Sequence, residues 1–468
     1  MSDARFSVLI LAAGKATRFK SERSKLLHRL AGRPLGEYAL RAAFAAGPSH
    51  VFMVVGHQAD AVREAFQRSG LTFIEQREQL GTGHALMISR DELARSTADA
   101  LVVLVGDAPL ISAELISNLV DSHRKRRAAV TIVTLQLEDP TGYGRIVRGR
   151  DGRVQRIVEE KVATHRERRI REVSSGILCF SRSKLLPALD HLTDDNPQKE
   201  YLLTDLVEIL VRGRQRAETT PAADPREVMG VNDRVELAAV ERILRLRKAD
   251  SLMREGVTIV NPEATYIDDA VTVGRDTVIE PGVSLLGSTT VGSACLLRPY
   301  STISDSTLAD RVTVRPVCVI SASEIGPDAM VGPFAHVRDG GVIGPETRIG
   351  NFVEVKKSRV GRGTKAGHLT YLGNAELGEN ANIGAGTVTC NYDGISKKPT
   401  YIEDNVFIGS GTMLVAPVRV GRGAYVAAGS TITQDVPAGA LGIARAPQVV
   451  KPGWVEERMR KLPENKKK

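Results

Sequence analysis

The residues best suited to phosphate chemistry lie near the amino terminus, in the stretch LAAGKATRFKSERSK at residues 11–25. An apolar run ends there in small residues, which let backbone N–H groups approach phosphate oxygens. Arginine can bind two oxygens at once, whereas lysine acts as a point charge. The spacing matches neither GxGxxG nor GxxxxGKS/T, so neither a Rossmann dinucleotide site nor a Walker A loop is predicted. Taken alone, a glycine turn beside a solvated basic face explains the stretch equally well. The cations are Lys15, Arg18, Lys20, Arg23 and Lys25.

A carboxylate at the end of a buried strand is the second candidate. Asp107 follows the apolar run in ALVVLVGDAPL, where an unpaired carboxylate would be costly unless it meets a cation. Mg²⁺ takes few protein oxygens and leaves room for phosphates, so an aspartate with one amide oxygen would suit it. The alternative is that Asp107 caps the helix that begins in APLISAEL.

A histidine far along the chain is the third candidate. His368 lies two residues after Ala366, off the aliphatic positions that the surrounding repeat requires, so the core does not need it. Histidine titrates near neutrality and serves well as a general base. A lone histidine is nonetheless more often a satisfied surface or packing residue than a catalyst.

The composition narrows the class of protein. The chain has 468 residues, enough for two or three domains, and a net charge of +9, which favours anionic ligands over nucleic-acid wrapping. Aromatic residues make up only 4%, so few surfaces could stack bases. The four cysteines form no CxxC pair, which favours a reducing compartment and argues against structural zinc. With no long apolar segment or signal peptide, we expect a cytoplasmic protein without membrane or nucleic-acid partners.

The elements that must position these residues divide into two halves. Residues 1–231 contain the strand-length runs FSVLILAAG, HVFMVVG and ALVVLVGDAPL, separated by helical patterns. Such runs predict an α/β domain with a mostly parallel sheet, whose ligand crevice lies at the carboxyl ends of the strands. At residues 232–256, Leu237, Val240 and Leu244 recur among charges and predict an amphipathic linker helix.

Residues 257–468 form a region in which a six-residue period, one that no ordinary helix or sheet has, is followed by a carboxyl-terminal tail. This period predicts a parallel β-helix of hexapeptide repeats, in which each coil is stable only against its neighbours. The aliphatic positions are Val273, Ile279, Leu285, Val291, Leu297 and Ile303, then Ile325, Val331, Val337, Ile343, Ile349 and Val355, and finally Ile408, Leu414, Val420, Val426 and Ile432.

Eight blocks give the chain a specific resemblance: LAAGKATRF, EQLGTGHA, VGDAPL, PTGYGRI, VNDR, GNFVEVKKSRVGRGTKAGHLTYLG, NIGAGTVTCNYDG and a late APQ. Over nearly its whole length it resembles the bacterial bifunctional N-acetylglucosamine-1-phosphate uridyltransferase/glucosamine-1-phosphate acetyltransferase family. That resemblance implies a Rossmann-like nucleotidyltransferase domain and a left-handed β-helix acetyltransferase domain, assembled as a homotrimer. It also implies Mg²⁺, with UTP and acetyl-CoA as co-substrates, and a UDP-sugar product used in peptidoglycan and lipopolysaccharide synthesis.

For the uridyltransferase site, the resemblance implies Arg18 and Lys25 as catalytic cations and Asp107 and Asn232 as the Mg²⁺ ligands. The sequence departs from the family at Ser174, where Asn is usual, at Ala16, where Gly is common, and at Ser24, where Pro is common. Further implied contacts with the nucleotide or the sugar are Leu11, Ala12, Ala13, Gly14, Lys25, Gln76, Gly81, Thr82, Asp107, Gly144, Glu159, Ser174 and Asn232. On residue type alone, Asn232 could equally cap the linker helix.

For the acetyltransferase site, the resemblance implies His368 as the base. The implied ligands of glucosamine-1-phosphate are Arg338, Lys356, Tyr371 and Asn382, and those of acetyl-CoA are Ala385, Asn391, Tyr392, Ser410, Ala428 and Arg445. Taken alone, Arg338 and Lys356 would be ordinary charged surface. Two alternatives stay open: a single-function nucleotidyltransferase whose β-helix is a scaffold, and a non-enzymatic β-helix assembly protein.

Overall fold

Aliphatic runs form the centre of a nine-stranded sheet in a computed structural model that describes residues 5–461. The sheet has the order β11-β7-β10-β6-β1-β4-β5, and a β8–β9 hairpin pairs with β10. All central pairs are parallel except those of β10. The strands of this sheet are β1 (Phe6–Ala12), β4 (His50–Val55), β5 (Leu71–Glu75), β6 (Ala100–Val105), β7 (Val130–Gln136), β8 (Arg145–Arg148), β9 (Val154–Val158), β10 (Glu172–Ser181) and β11 (Ala217–Pro221). The short strands β2 (Arg29–Leu30) and β3 (Arg33–Pro34) form a separate two-stranded sheet.

Helices cover both faces of this sheet, which is why its strands are apolar on both sides. In β1, Val8 and Ile10 belong to one hydrophobic core and Leu9 to the other. The mostly parallel α/β fold predicted for the first half is confirmed. The helices are α1 (Leu35–Ala45), α2 (Ala59–Phe66), α3 (Thr82–Ile88), α4 (Arg90–Arg95), α5 (Ala113–Arg126), α6 (Arg182–Ala188), α7 (Asp205–Arg212), α8 (Arg234–Arg254) and, near the carboxyl terminus, α9 (Trp454–Arg460).

The chain divides into two compact units, Met1–Arg247 and Lys248–Lys468. The helix expected within residues 232–256 is α8. Its residues Leu237 and Leu244 pack against the core of the first unit, and Ala249 and Leu252 belong to the core of the second. The domain limits drawn from the sequence, at 231 and 257, stay a prediction. None of the helices in the described part of the chain has the length and apolarity that a bilayer crossing requires.

The second unit is the predicted left-handed β-helix, built from three parallel sheets that we call faces 1, 2 and 3 in chain order. Face 1 consists of Thr258–Ile259, Val278–Ile279, Leu296–Leu297, Thr313–Val314, Met330–Val331, Arg348–Asn351, Lys365–His368, Asn382–Ile383, Phe407–Ile408, Tyr425–Val426 and Leu441–Gly442. Face 2 consists of Tyr266–Ile267, Ser284–Leu286, Thr302–Ser304, Val319–Ser321, His336–Arg338, Glu354–Lys356, Tyr371–Gly373, Val388–Cys390, Met413–Val415 and Thr431–Ile432. Face 3 consists of Thr272–Val273, Thr290–Val291, Thr307–Leu308, Glu324–Ile325, Val342–Ile343, Arg359–Val360, Ala375–Leu377, Thr400–Ile402 and Val418–Val420.

The periodic aliphatic residues fill the interior of this prism. Every position named from the six-residue period is buried, the most exposed being Val273 at 9%. Where the period breaks, the chain takes five residues instead of six between faces 2 and 3, as from Ile303 to Leu308, and both residues stay buried. One coil is longer, because residues 391–399 form an insertion between face 2 and face 3.

Candidate active sites

A pocket of about 440 Å³ lies at the carboxyl ends of β1, β4 and β6 in the first unit. This is the crevice expected of a sheet in which neighbouring parallel strands feed loops to the same edge. Lys15, Ser24, Gln79 and Glu200 contribute to its walls. The residues predicted to hold a nucleotide that line it are Leu11, Ala12, Ala13, Gly14, Lys25, Gln76, Gly81, Thr82 and Asp107.

Close backbone packing shapes one wall of the pocket. Gly81 has φ 107°, and a Cβ there would lie 2.4 Å from the carbonyl oxygen of Tyr201, so only glycine fits. The same oxygen accepts a hydrogen bond from Gly83 N–H at 2.7 Å. The buried Gln76 donates from Nε2 to the carbonyl oxygen of Gly81 at 3.0 Å. The wall is therefore fixed by a bond to the distant Tyr201 and by a local bond from Gln76.

The carboxylate of Asp107 has a cationic partner, as its position at the end of a buried strand requires. Lys25 Nζ lies 2.5 Å from Asp107 Oδ2, and the two side chains are 13% and 25% exposed. An ammonium group has three donors, so Lys25 retains N–H groups for a phosphate beside this carboxylate. The pair puts a cation and a carboxylate oxygen on one wall of the pocket.

Asn232 lies near the end of the first unit in sequence but close to Asp107 in space. Val231 N–H donates to the carbonyl oxygen of Asp107 at 2.9 Å. A Cβ built on Gly230 would lie 3.9 Å from Asp107 Oδ1 and 4.0 Å from Asn232 Nδ2, so both side chains border the same small space. Arg18, which does not line the pocket, donates from Nη2 to Asn232 Oδ1 at 2.9 Å.

These residues fit a magnesium ion. A carboxylate and an amide oxygen are ligands that Mg²⁺ accepts while it keeps waters and substrate phosphates in its other positions. Asn232 Oδ1 accepts from Arg18, and an amide oxygen has a second lone pair. Within residues 5–461, no larger group of His, Cys, Asp and Glu side chains converges as a metal cage.

The residues predicted for the sugar form their own cluster and do not line the nucleotide pocket. Gly144 O accepts from Ser174 N–H at 2.8 Å, and a Cβ on Gly144 would lie 3.6 Å from Glu159 Oε1. Thr204 Oγ1 donates to the same carboxylate at 2.9 Å. Ser174, only 6% exposed, precedes a bulge in β10, and its Oγ accepts from Gly176 N–H. Burial, followed by the negative charges of Glu159 and Glu208, raises the pKa of nearby Asp205.

Sequence reasoning missed Arg145, which stands inside the PTGYGRI block. Its guanidinium is almost fully buried and donates to the carbonyl oxygen of Tyr143 and to Glu160 Oε2, the latter at 2.5 Å. Tyr143 precedes Gly144 and Glu160 follows Glu159, so Arg145 joins the two ends of the β8–β9 hairpin beside the sugar cluster. The available signal was its position inside the PTGYGRI block, directly after Gly144.

In the β-helix, His368 belongs to a column of residues on the edge between faces 1 and 2. Strand pairing places Asn351 opposite His368, and His368 Nδ1 lies 2.5 Å from Asn351 Oδ1. An amide oxygen accepts from Nδ1–H, so the exposed imidazole carries its free lone pair on Nε2. The register of the following coils continues the column through Ala385, Ser410 and Ala428 at the roughly 4.8 Å spacing of paired strands.

Three more predicted residues attach to these elements. Arg445 Nη1 donates to the carbonyl oxygen of Ala428 at 2.9 Å, at the end of the column. Asn382 lies on face 1, and Tyr371 on face 2, where its hydroxyl lies over Gly373. Of the predicted acetyl-CoA ligands, Ala385, Ser410, Ala428 and Arg445 therefore share one edge.

The predicted phosphate ligands lie at the edge between faces 2 and 3. Arg338 and Lys356 lie opposite each other on paired strands. Asp339 Oδ2 lies 2.9 Å from Arg338 Nη1 and 3.7 Å from Lys356 Nζ. The hydrogen bond to Glu354 is the main cause that raises the pKa of Arg338. The positive charge of Lys356 is the main cause that lowers the pKa of Lys397, a cation from the 391–399 insertion that sequence reasoning did not single out.

Asn391 and Tyr392 lie at this second edge also. Asn391 Nδ2 donates to Asn374 Oδ1 at 2.8 Å, and Tyr392 is 60% exposed with its hydroxyl bonded to the carbonyl oxygen of Gly394. Within one chain, His368 and the column predicted to bind acetyl-CoA thus occupy one edge of the prism, whereas the predicted phosphate ligands and the insertion occupy another.

Both units define a class: a nucleotidyltransferase domain joined to a hexapeptide-repeat transferase domain. Residues 8–209 match the model of the MobA-like NTP transferase domain, and residues 399–434 match that of the bacterial transferase hexapeptide (six repeats).

The relatives define the family more narrowly. The chain is 49% identical over 468 residues to the Bifunctional protein GlmU of Koribacter versatilis, covering 99% of both chains. It is 50% identical over 449 residues to that of Trichlorobacter lovleyi, covering 96% of this chain and 97% of the relative. The chain belongs to the family of bifunctional GlmU proteins, which confirms the resemblance found in its sequence blocks.

Proposed function

We propose that this protein acetylates glucosamine-1-phosphate with acetyl-CoA and then joins the N-acetylglucosamine-1-phosphate to UMP from UTP, releasing pyrophosphate. The observation that carries the proposal is that Lys25 and Asp107 pair in the wall of a pocket lined by small residues, with Asn232 close to Asp107. The alternative, a nucleotidyltransferase with a purely structural β-helix, gives no role to the His368–Asn351 pair. Since UTP and acetyl-CoA are intracellular metabolites, we expect the enzyme to work in the cytoplasm.

Uridyl transfer requires positioning and charge neutralisation, with no covalent intermediate. An oxygen of the sugar phosphate attacks the α-phosphorus of UTP, and the bond to the β-phosphate breaks as pyrophosphate leaves. Lys25 and Arg18 stabilise the charge of the triphosphate in the transition state. Asp107 and Asn232 would hold Mg²⁺, which supplies Lewis-acid stabilisation of the phosphate oxygens. The backbone of residues 11–14 lies against the nucleotide.

Acetyl transfer requires a base. The amine of glucosamine-1-phosphate attacks the thioester carbonyl, His368 Nε2 takes the proton, and CoA leaves as a thiolate that is then protonated. Asn351 holds the ring in the tautomer that leaves Nε2 free. Arg338 and Lys356 bind the substrate phosphate, and Tyr371 and Asn382 bind the sugar. The acetyl-CoA lies along Ala385, Ser410, Ala428 and Arg445, with Asn391 and Tyr392 completing the site.

A homotrimer would bring the two edges of neighbouring β-helices together. One chain separates the phosphate ligands from His368, so a site that uses both needs residues of a second copy. The edge that carries His368 also bears an exposed apolar ladder over five successive coils, which supports burial against another chain. The ladder consists of Tyr300, Val317, Phe334, Phe352 and Leu369, exposed at 69, 41, 49, 55 and 61%.

A single assay tests both activities. Purified protein is given glucosamine-1-phosphate, acetyl-CoA, UTP and Mg²⁺, and free CoA, pyrophosphate and the UDP-sugar are measured separately. All three should form. Pyrophosphate formed only after N-acetylglucosamine-1-phosphate is supplied would contradict the acetyltransferase half, and CoA without UDP-sugar would contradict the uridyltransferase half. Sedimentation of the same sample should give three times the chain mass.

A further inference from the structure

The cationic loop of residues 14–23 is held at both ends by residues that follow β4. His57 N–H donates to the carbonyl oxygen of Ala13 at 3.2 Å, where the loop begins. Gln58 meets the other end: its Nε2 donates to the carbonyl oxygen of Glu22 at 2.6 Å, and its Oε1 accepts from Ser24 N–H at 2.7 Å. One side-chain amide thus uses both its polar groups on the backbone that leads into Lys25.

The backbone of Gln58 is held in an unfavourable conformation to make these bonds. Its φ of 54° and ψ of 43° are left-handed, a region that residues other than glycine avoid unless their surroundings impose it. The segment is also tightly packed, because a Cβ on Gly56 would lie 2.9 Å from both Ala13 Cβ and the carbonyl oxygen of Gln76. The turn that carries Gln58 therefore packs against Ala13 and Gln76, which line the pocket.

Ser24 depends on this contact. The residue is only 4% exposed, so its N–H would be poorly hydrated without Gln58. Its φ of −50° and ψ of 133° extend the chain immediately before Lys25, whose Nζ reaches Asp107. Two bonds at one end of a loop full of like charges restrain it against their mutual repulsion.

We propose that Gln58 is a positioning residue for uridyl transfer: its amide clamps the backbone of residues 22–24 and thereby places Lys25 at the triphosphate. This inference rests on the proposed uridyltransferase activity. Gln58 itself does not line the nucleotide pocket, so it acts through Lys25.

The test removes the amide without adding strain. Glycine adopts a φ of 54° freely, so Gln58→Gly should fold, and we expect kcat/KM for UTP in uridyl transfer to fall roughly five- to tenfold, as for a loss of two hydrogen bonds. Adding Ser24→Pro should restore the rate to within about twofold. Proline fits the φ of Ser24, stiffens the loop and removes the N–H that the first change leaves unpaired.

The controls separate this inference from the function on which it rests. Gln67→Gly, at the other end of α2, should leave both activities unchanged, and acetyl transfer should be unchanged in every variant. Gln58→Glu keeps the acceptor for Ser24 N–H and loses the donor to Glu22, so it should give an intermediate rate. No uridyl transfer by the unmutated protein would overturn the proposed function. A normal rate in Gln58→Gly, or no recovery with Ser24→Pro, would overturn the clamp alone.

Discussion

In the first unit, residues from widely separated positions meet in one pocket of a single chain, whereas the second unit distributes its candidate residues along two edges. Lys25 follows β1, Asp107 follows β6 and Asn232 precedes α8, yet the three residues lie close together. In the β-helix, each coil adds one residue to a column, as His368 is followed by Ala385 and Ser410. A parallel sheet therefore concentrates polar groups at a point, and a β-helix aligns them in rows.

This difference determines how each site responds to mutation. A sheet-edge pocket is complete in one folded unit, so its activity should not depend on neighbouring chains. A row of residues along an edge has no walls of its own, so its activity should depend on what another chain contributes. The predictions below separate these two behaviours.

The largest expected effect comes from the proposed base of the second site. His368→Ala should reduce acetyl transfer by roughly 10²–10⁴-fold, the usual contribution of a general base. Uridyl transfer from added N-acetylglucosamine-1-phosphate should be unchanged in the same preparation, which serves as the folding control. The measurement is CoA release at saturating substrates. Acetylation at the unmutated rate would require a different base.

The matching change in the first site is Asp107→Ala. It leaves Lys25 without its carboxylate partner and removes a proposed Mg²⁺ ligand, so uridyl transfer should fall by roughly 10²–10³-fold, as when one preorganised charge-stabilising group is lost. Pyrophosphate release measures the effect, and acetyl transfer should be unchanged. Normal uridyl transfer at low Mg²⁺ would contradict the metal assignment.

Mixing variants tests whether the second site is shared between chains. Equal amounts of His368→Ala and Lys356→Ala chains, co-expressed, should recover about a quarter of the acetyl transfer. Each site would take His368 from one chain and Lys356 from another, and each of these residues is intact in half of the chains. About one site in four would therefore have both residues intact. The same experiment with Asp107→Ala and Lys25→Ala should recover no uridyl transfer. Equal recovery at both sites, or none at either, would remove the distinction drawn between the units.

The period-six pattern allowed the aliphatic positions named from it to be placed in the β-helix interior, because one buried aliphatic residue per face is a local rule. The stretches where the register shifts, such as the one containing Leu308, Val314 and Ile320, were not predicted. The same logic placed His368 off the core, and it is exposed. The separation of Arg338 from His368 was not predicted, since it depends on which edge of the prism each residue reaches. The resemblance named both residues without their positions in three dimensions.

In the first unit, the strands that end at the pocket could be read from their apolar runs. The partners could not: Lys25 with Asp107, and Arg18 with Asn232, are contacts across long stretches of sequence. Ala16, where glycine is common in the family, has φ 48°, a strained value that only the backbone reveals.

A smaller effect is expected from the buried cation beside the sugar cluster. Arg145→Lys keeps the charge but replaces the planar guanidinium, whose two nitrogens bond Tyr143 and Glu160, with a single nitrogen, so the hairpin that carries Gly144 and Glu159 should loosen. We expect KM for N-acetylglucosamine-1-phosphate to rise roughly tenfold, with KM for UTP unchanged. Arg148→Lys is the matched control, because Arg148 pairs with Glu172 at the surface of the same strand. An equal rise in both KM values would indicate general loss of structure.

The last prediction concerns the stability of the two units in acid. The effect of His123 on the stability of the first unit should be absent at neutral pH and appear only as the pH falls. His123 is buried, with Nδ1 2.9 Å from Thr131 Oγ1 and Nε2 3.1 Å from Ser181 Oγ. Burial lowers its pKa from 6.5 to about 4. The folded state favours the neutral ring, so its contribution is complete above pH 6.5 and is lost as the pH falls towards 4, because the unfolded chain binds the proton first. A pKa shift of that size corresponds to a loss of about 3 kcal/mol in the free energy of unfolding at acid pH. As the pH is lowered from 6.5 to 4, the melting temperature of the first unit should therefore decrease more than that of the β-helix. His123→Gln, which keeps hydrogen-bonding groups but does not titrate, should remove the difference, and an unchanged pH profile in that variant would exclude His123 as its cause.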